Sequence, residues 1–353
     1  MGPDASGAAF VHQRYNLVGR NGPASLFLLF ASACRRPQKG PRMKAQDTPY
    51  AAAPTSALRK ALSPALLAFI GLALLWGASF LFIKIGVTGM PPDALVATRL
   101  TIAAIVLLGV ARASGERLPR GWKIWRDFAV TGVVGLAIPF SLITWGEQEI
   151  SSGMASILNG TTPLFTALIA YFWMRGERFS PLKLFGLALG FVGVVVAVGI
   201  ENLTIGSNLL SHLAVMGAAF CYGVSGIYTR RAFAGIPART VAVGQFVCAA
   251  VALVPIALLR HGLPTQLPPA GPLGAVVALA LFCTAVAYIL YYWLIDHIGA
   301  TRTSMVTYMV TPLALIYGAA ILREPVYLNT IAGLLLVVLG ILLANGVIGR
   351  RAA

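Results

Sequence analysis

Trp76-Gly77-Ala78-Ser79 sits in one apolar run of the chain and Tyr222-Gly223-Val224-Ser225 in another, 146 residues further on. At the same offset Lys84 meets Arg230, Pro91 meets Pro237 and Arg99 meets Gln245. Glu177, Gly186, Gly193 and Gly199 then fall 147 residues before Glu324, Gly333, Gly340 and Gly346. Glycine is common here, so one coincidence carries little weight. Agreement across separate runs, with a drift of one residue, identifies an internal repeat, and a repeat fixes architecture before any other feature does.

The repeated units are membrane spans. From Pro64 onward the chain is a series of apolar runs of about 20 residues, each long enough to cross a hydrocarbon core of about 30 Å as a helix. Expected spans are 65–86, 92–111, 128–147, 151–173, 181–200, 209–229, 238–259, 272–295, 300–322 and 327–347. The first five-helix repeat occupies residues 64–200 and the second residues 201–348. An odd number of crossings per copy forces the second copy through the membrane in the opposite sense. The expected fold is therefore all-α and polytopic, with ten transmembrane helices as two inverted five-helix repeats. That is a construction of secondary transporters, whose substrate site lies near the midplane between the halves.

Composition agrees. Of 353 residues, 58% are hydrophobic and 11% charged, against about 25% charged in an ordinary soluble domain. Such a chain takes lipid as its solvent. The net charge of +16 does not indicate nucleic acid, because the basic residues lie between apolar runs and form no stripe. Short cytoplasmic loops collect Lys and Arg. The 112–127 segment carries Arg112, Arg117, Arg120, Lys123 and Arg126, and the 174–183 and 229–239 segments carry three basic residues each. The 86–92, 147–151 and 201–208 segments carry none. The alternation puts both termini in the cytoplasm of a cell whose inner (plasma) membrane holds the protein; Arg260 and Arg323 are exceptions.

Residues 1–63 differ in character. They carry Arg14, Arg20, Arg35, Arg36, Lys39, Arg42, Lys44, Arg59 and Lys60 against Asp4 and Asp47, and the apolar patch Ala24–Cys34 is too short to span. A signal or transit peptide fits the basic bias. The preferred reading is a disordered extension without function, with translation starting at Met43.

Further residues carry a family resemblance. Pro163-Leu164-Phe165-Thr166-Ala167-Leu168, then Arg175-Gly176-Glu177-Arg178, then Gly186, Gly190 and Gly193 make one copy of a pattern. Gly299-Ala300-Thr301-Arg302-Thr303-Ser304, Pro312-Leu313, Arg323-Glu324-Pro325, Gly333 and Gly340 make the other. The chain resembles the EamA-like branch of the drug/metabolite transporter superfamily over about residues 64–348. The resemblance implies ten helices as five plus five, export of metabolites or amino-acid-like solutes, and no enzymatic activity.

Candidate site residues follow from depth. Trp76, Pro139, Pro163 and Pro312 fall close to the midplane, where a proline frees backbone carbonyls and breaks a helix; each is a site wall or a packing kink. Ser79, Asn159, Tyr222, Ser225, Tyr288 and Tyr308 put polar groups at similar depth, where they bond to one another or to a substrate. Arg99 is the one cation well inside a span, a functional candidate by default, or else a snorkelling or carbonyl-paired structural residue. Its repeat partner Gln245, a candidate substrate-binding residue as well, is uncharged, so the fold does not require charge there. Lys84, nearer the boundary, is expected to snorkel. Glu147 and Glu149 are expected to be solvated, with a gating pair to Arg99 as the alternative. Glu177 and Glu324 are expected to complement the dipoles of the helices they precede. Trp122, Trp125, Trp173 and Trp293 suit the interfacial aromatic belt. Gly186-Leu187-Ala188-Leu189-Gly190 suits close packing within the bundle or a homodimer.

No catalytic or metal-ligating cluster is legible, and no cofactor is expected. Gly223-Val224-Ser225-Gly226 matches the serine motif of rhomboid-type proteases, but His212, His261 and His297 all lie away from the serine's depth, and that chemistry needs a base within reach. The expected partners are a small-molecule substrate and the lipid bilayer. A flippase for a lipid or lipid-linked sugar, on the same fold, is the alternative function.

Overall fold

A computed structural model describes residues 63–173, 180–199, 207–262 and 266–345. The expectations for the N-terminal extension and for Glu177 lie outside them. Ten helices follow one another: α1 (Pro64–Gly86), α2 (Pro92–Ala113), α3 (Trp122–Gly146), α4 (Ser152–Trp173), α5 (Pro181–Val198), α6 (Ser207–Ala232), α7 (Ala238–His261), α8 (Ala270–Ile298), α9 (Thr307–Ile321, after a short turn Ala300–Ser304) and α10 (Leu328–Ala344). Among the described residues nine segments are long and apolar enough to cross a membrane, and α10 is a shorter apolar helix. The chain is a multi-pass membrane protein. Its helix starts are locally encoded. Ser63, Ser151 and Ser180 each accept a hydrogen bond from a backbone N–H three residues on, and Pro64 and Pro181 follow two of them. α3 begins at Trp122, before the expected residue 128, because its first turns are amphipathic and escape a search for apolar runs.

The packing obeys a two-fold exchange of the repeats. α1 packs on α8 and α9, and α6 packs on α3 and α4; α2 pairs with α7, and α5 with α10. Swapping each helix for its counterpart five places along returns the same set of neighbours, as inverted halves require. Ion pairs at the ends of α2 and α7 obey it too. Asp93 at the start of α2 holds Arg260 (3.4 Å) and His261 (2.7 Å) at the end of α7. Arg239 at the start of α7 holds Glu116, just past α2, at 3.5 Å. Arg260, one of the two exceptions in the charge alternation, is thus paired, though an exposed pair contributes little stability.

The repeated motif has a steric cause. A Cβ on Gly77 would lie 2.8 Å from the Leu313 Cβ in α9, and one on Gly223 would lie 3.1 Å from the Thr166 nitrogen in α4. Each motif glycine lets its helix touch the proline-bearing helix of the other half. The glycine stripe of α5 is used within the chain: a Cβ on Gly186 would meet the Ala344 nitrogen of α10 at 2.6 Å, and one on Gly340 would meet the Gly190 nitrogen at 2.4 Å.

Four helices are interrupted, and the interruptions match across the repeat. α3 contains a π-helical turn at Val133–Ala137 and α8 one at Leu281–Val286. α4 breaks at Gly160-Thr161, and the helix before α9 stops at Met305-Val306. Pro139 and Pro163 immediately follow two of these interruptions. Pro312 corrects the expectation of a break: α9 runs through it, and the interruption lies upstream.

Candidate functional site

Arg99 is the centre of the interrupted region. It is 5% exposed. Its Nε donates to the Thr284 hydroxyl at 2.8 Å, and its guanidinium carbon lies 3.8 Å above the Phe140 ring. Thr284 belongs to the π turn of α8 and donates in turn to the Leu279 carbonyl five residues back, so the hydroxyl ties the widened turn to the arginine. Phe140 stands just beyond the π turn of α3. One cation therefore bridges both widened helices, and π turns of this kind are frequent at functional sites. Tyr222, Tyr288 and Cys283 lie near it. Among the described residues no carboxylate lies within ion-pair distance and no acceptor meets its terminal nitrogens. A planar fork with unfilled donors suits a carboxylate, which it holds through paired charge-assisted bonds.

An aromatic wall adjoins it. Tyr288 packs edge-on against Phe246 at 4.8 Å and against Trp76 at 6.0 Å, and Trp76 lies 5.3 Å from Tyr291. Ser225 lies against the α3 π turn: a Cβ on Gly135 would fall 2.2 Å from its Oγ. The Asn159 amide oxygen, at the end of the first half of α4, is buried without a partner. Arg99, Tyr222, Tyr288 and Trp76 are thus brought together, with Ser225 at the adjoining π turn.

Other candidates are spent elsewhere. Ser79 donates back to the Trp76 carbonyl at 2.6 Å, and Gln245 donates to Thr229 at 3.3 Å. The Tyr308 hydroxyl accepts from Asn345 at 2.8 Å, near the end of α10. Phe140, Thr284 and the π turns were not legible in the sequence, since a π turn adds one residue without changing hydropathy.

The carboxylates correct the sequence reading. Glu147, expected to be solvated, is fully buried, and neither of its oxygens has a hydrogen-bond partner. Lys84 does not snorkel. Its ammonium donates to the Glu147 and Ile150 carbonyls at 2.6 and 2.8 Å, capping the C-terminal end of α3 where a cation is favoured. Glu324 complements a helix dipole, but of α4 in the other half. It accepts from the Ser152 backbone nitrogen at 2.9 Å, the Ser152 hydroxyl at 2.7 Å and the Gly153 nitrogen at 3.4 Å. Arg323 before it has φ 56°, the left-handed conformation that ends α9 and turns Glu324 toward α4. Lys84 and Glu324 thus both fasten the 147–153 segment. A cavity of about 190 Å³ opens beside it, lined by Glu149, Asn208, His212, Glu324, Tyr327 and Asn329; Arg99 and its aromatic neighbours do not line it.

The EamA-like transporter family model matches residues 63–199 and again 209–346, the two halves described above. The chain is 26% identical over 288 residues to "Uncharacterized transporter YoaV" of Bacillus subtilis, covering 81% of this chain and 98% of that protein. It is 28% identical over 298 residues to a "Probable terminal-alkyne amino-acid exporter" of Streptantibioticus cattleyicolor, covering 82% and 96%. It is 25% identical over 261 residues to "Uncharacterized inner membrane transporter YedA" of Escherichia coli K12, covering 74% and 83%. Among solved structures that share the fold, a crystal structure matches with a TM-score of 0.59 at 23% identity over 82% of this chain and 99% of that one.

Proposed function

This chain belongs to the EamA-like transporter family, and from that premise we propose that it exports small amino-acid-like solutes across the inner (plasma) membrane by alternating access. The observation that carries this is Arg99: a buried guanidinium with unfilled terminal donors, between two helices widened at matching places. Burying a cation without a counter-ion is costly, and a substrate carboxylate offsets that cost on binding. Tyr222, Tyr288 and Trp76 supply the apolar and aromatic side of the site, suited to the side chain of the solute. A cytoplasmic position for both termini, read from the basic loops, supports a carrier whose Lys84 and Glu324 fastenings face outward, where opening releases solute. The likeness to a protein named as an amino-acid exporter supports the direction.

Cells over-producing the full chain, grown on a panel of toxic amino acids and analogues with intracellular pools measured, test the reading. Selective resistance with a depleted pool is the expected result. No resistance across the panel, with the protein verified in the membrane, contradicts it and favours a lipid or lipid-linked-sugar flippase.

A further inference from the structure

Of the charged groups that act on Glu147, Lys84 and Glu324 have protein partners among the described residues, and the terminal nitrogens of Arg99 have none. The charges acting on the Glu147 carboxyl are Lys84 from α1, Arg99 from α2 and Glu324 from the segment before α10. Lys84 is bonded to two backbone carbonyls, and Glu324 to the start of α4. His212, on the α6 helix that packs against this end of α3, shares a short hydrogen bond with its own helix at the Asn208 carbonyl. Glu149, two residues on in the same loop, faces the cavity beside it. Both Glu147 oxygens are left buried and unbonded, and so are the hydroxyls of Thr144, one turn back in α3, and Ser211 in α6. Ser211 belongs to the seam, because a Cβ on Gly146 would lie 3.0 Å from its carbonyl oxygen.

An ionised carboxylate buried with neither oxygen bonded is among the costliest groups a protein can hold, and a proton removes most of that cost. Arg99 is near enough to act on the Glu147 carboxyl. A seam of unfilled oxygens within reach of its field, together with its own unfilled donors, is complementary to a zwitterion, with its carboxylate on the arginine and its ammonium on the acid. We propose that Glu147 binds a proton in the empty carrier and exchanges it for the substrate's ammonium, so that one proton enters for each zwitterion exported. In this exchange the Glu147 O–H bond breaks and its proton passes to water on the side where substrate arrives. The carboxylate then accepts hydrogen bonds from the substrate –NH₃⁺, with Thr144 and Ser211 offering further acceptor oxygens. After release outside, a proton from the outer water re-forms the O–H bond. The inference rests on the transport reading above and adds the ammonium half of the site and its coupling.

The linkage has a definite sign. Proton and ammonium compete for one carboxylate, so amino-acid affinity rises with pH, by up to about tenfold per unit, while Glu147 is protonated in the empty carrier. The test uses the purified full chain in detergent, in weakly buffered solution with a pH-sensitive dye. The probes are a mixture of the twenty protein amino acids and, separately, pyruvate with 2-ketoisocaproate, which lack the ammonium. Binding is followed in parallel by the shift in melting temperature. The expected result is a melting shift with amino acids accompanied by release of about one proton per bound molecule, no release with the keto acids, and none with amino acids in Glu147→Gln. The wild-type contrast between amino and keto acids decides the matter even where Glu147→Gln fails to fold. A melting shift with amino acids but no proton release, or equal release in Glu147→Gln, overturns the exchange and leaves the transport reading intact. Absence of any melting shift with amino acids overturns both.

Discussion

Arg99→Gln inserts and folds but does not transport. Gln is what the second repeat carries at the equivalent position, where Gln245 sits buried and bonded to Thr229. The substitution is therefore already tolerated by the architecture, and it removes a buried cation that has no ion-pair partner. What disappears is the fork. Hydrogen bonds to a charged group contribute about 1.5–3 kcal/mol each, so losing a bidentate pair to a carboxylate weakens binding by about a hundredfold or more. Arg99→Lys restores charge without the planar fork and the Nε–H that reaches Thr284, and it falls between Gln and the native protein. Initial export rates at equal membrane abundance check this. Native flux in Arg99→Gln would remove the arginine from the site.

Gly340→Val prevents folding. The first atom it adds would lie 2.4 Å from the Gly190 nitrogen and 2.6 Å from the Gly186 oxygen. Both are backbone atoms of α5, so no rotamer change relieves the clash and the two helices must separate. Small-residue faces are what allow such close contact in lipid, where no hydrophobic driving force brings helices together. Overpacking a core costs about 1–3 kcal/mol when side chains can shift; here the backbone must move, and α5 and α10 hold little else. Gly109→Val is the control, because nothing stands within 4 Å of a Cβ there. Size-exclusion profiles in mild detergent separate them: a monodisperse peak for Gly109→Val, and aggregate or no protein for Gly340→Val.

The architecture was legible because its signals are carried by hydropathy and by residue identity at a fixed offset. Ten apolar runs and the Trp76 and Tyr222 motifs are enough to place two inverted halves. The site was legible only in outline. Arg99 stood out as a charge inside a span, and Tyr222, Tyr288 and Trp76 as polar aromatics at similar depth. Their convergence depends on helix rotation, which a span nearly uniform in hydropathy does not reveal. Glu147 was misread for a related reason. Position at a span end suggests water, but α6, Lys84 and Glu324 close over it, and those contacts are remote in sequence. Tyr308 failed differently: the break upstream of α9 shortens the helix, so counting from residue 300 put the ring too deep, and it meets Asn345 near the end of α10.

The proposed transport turns on Arg99 holding a substrate carboxylate. Counterflow in proteoliposomes of the purified full chain measures this, with a labelled amino-acid mixture outside and unlabelled solutes inside. The unlabelled solutes are the same amino acids or the amines obtained by removing their carboxylates. Exchange with amino acids, none with the amines, and neither in Arg99→Gln is the predicted result. Amines that exchange as well as amino acids, in both the native protein and Arg99→Gln, would contradict it.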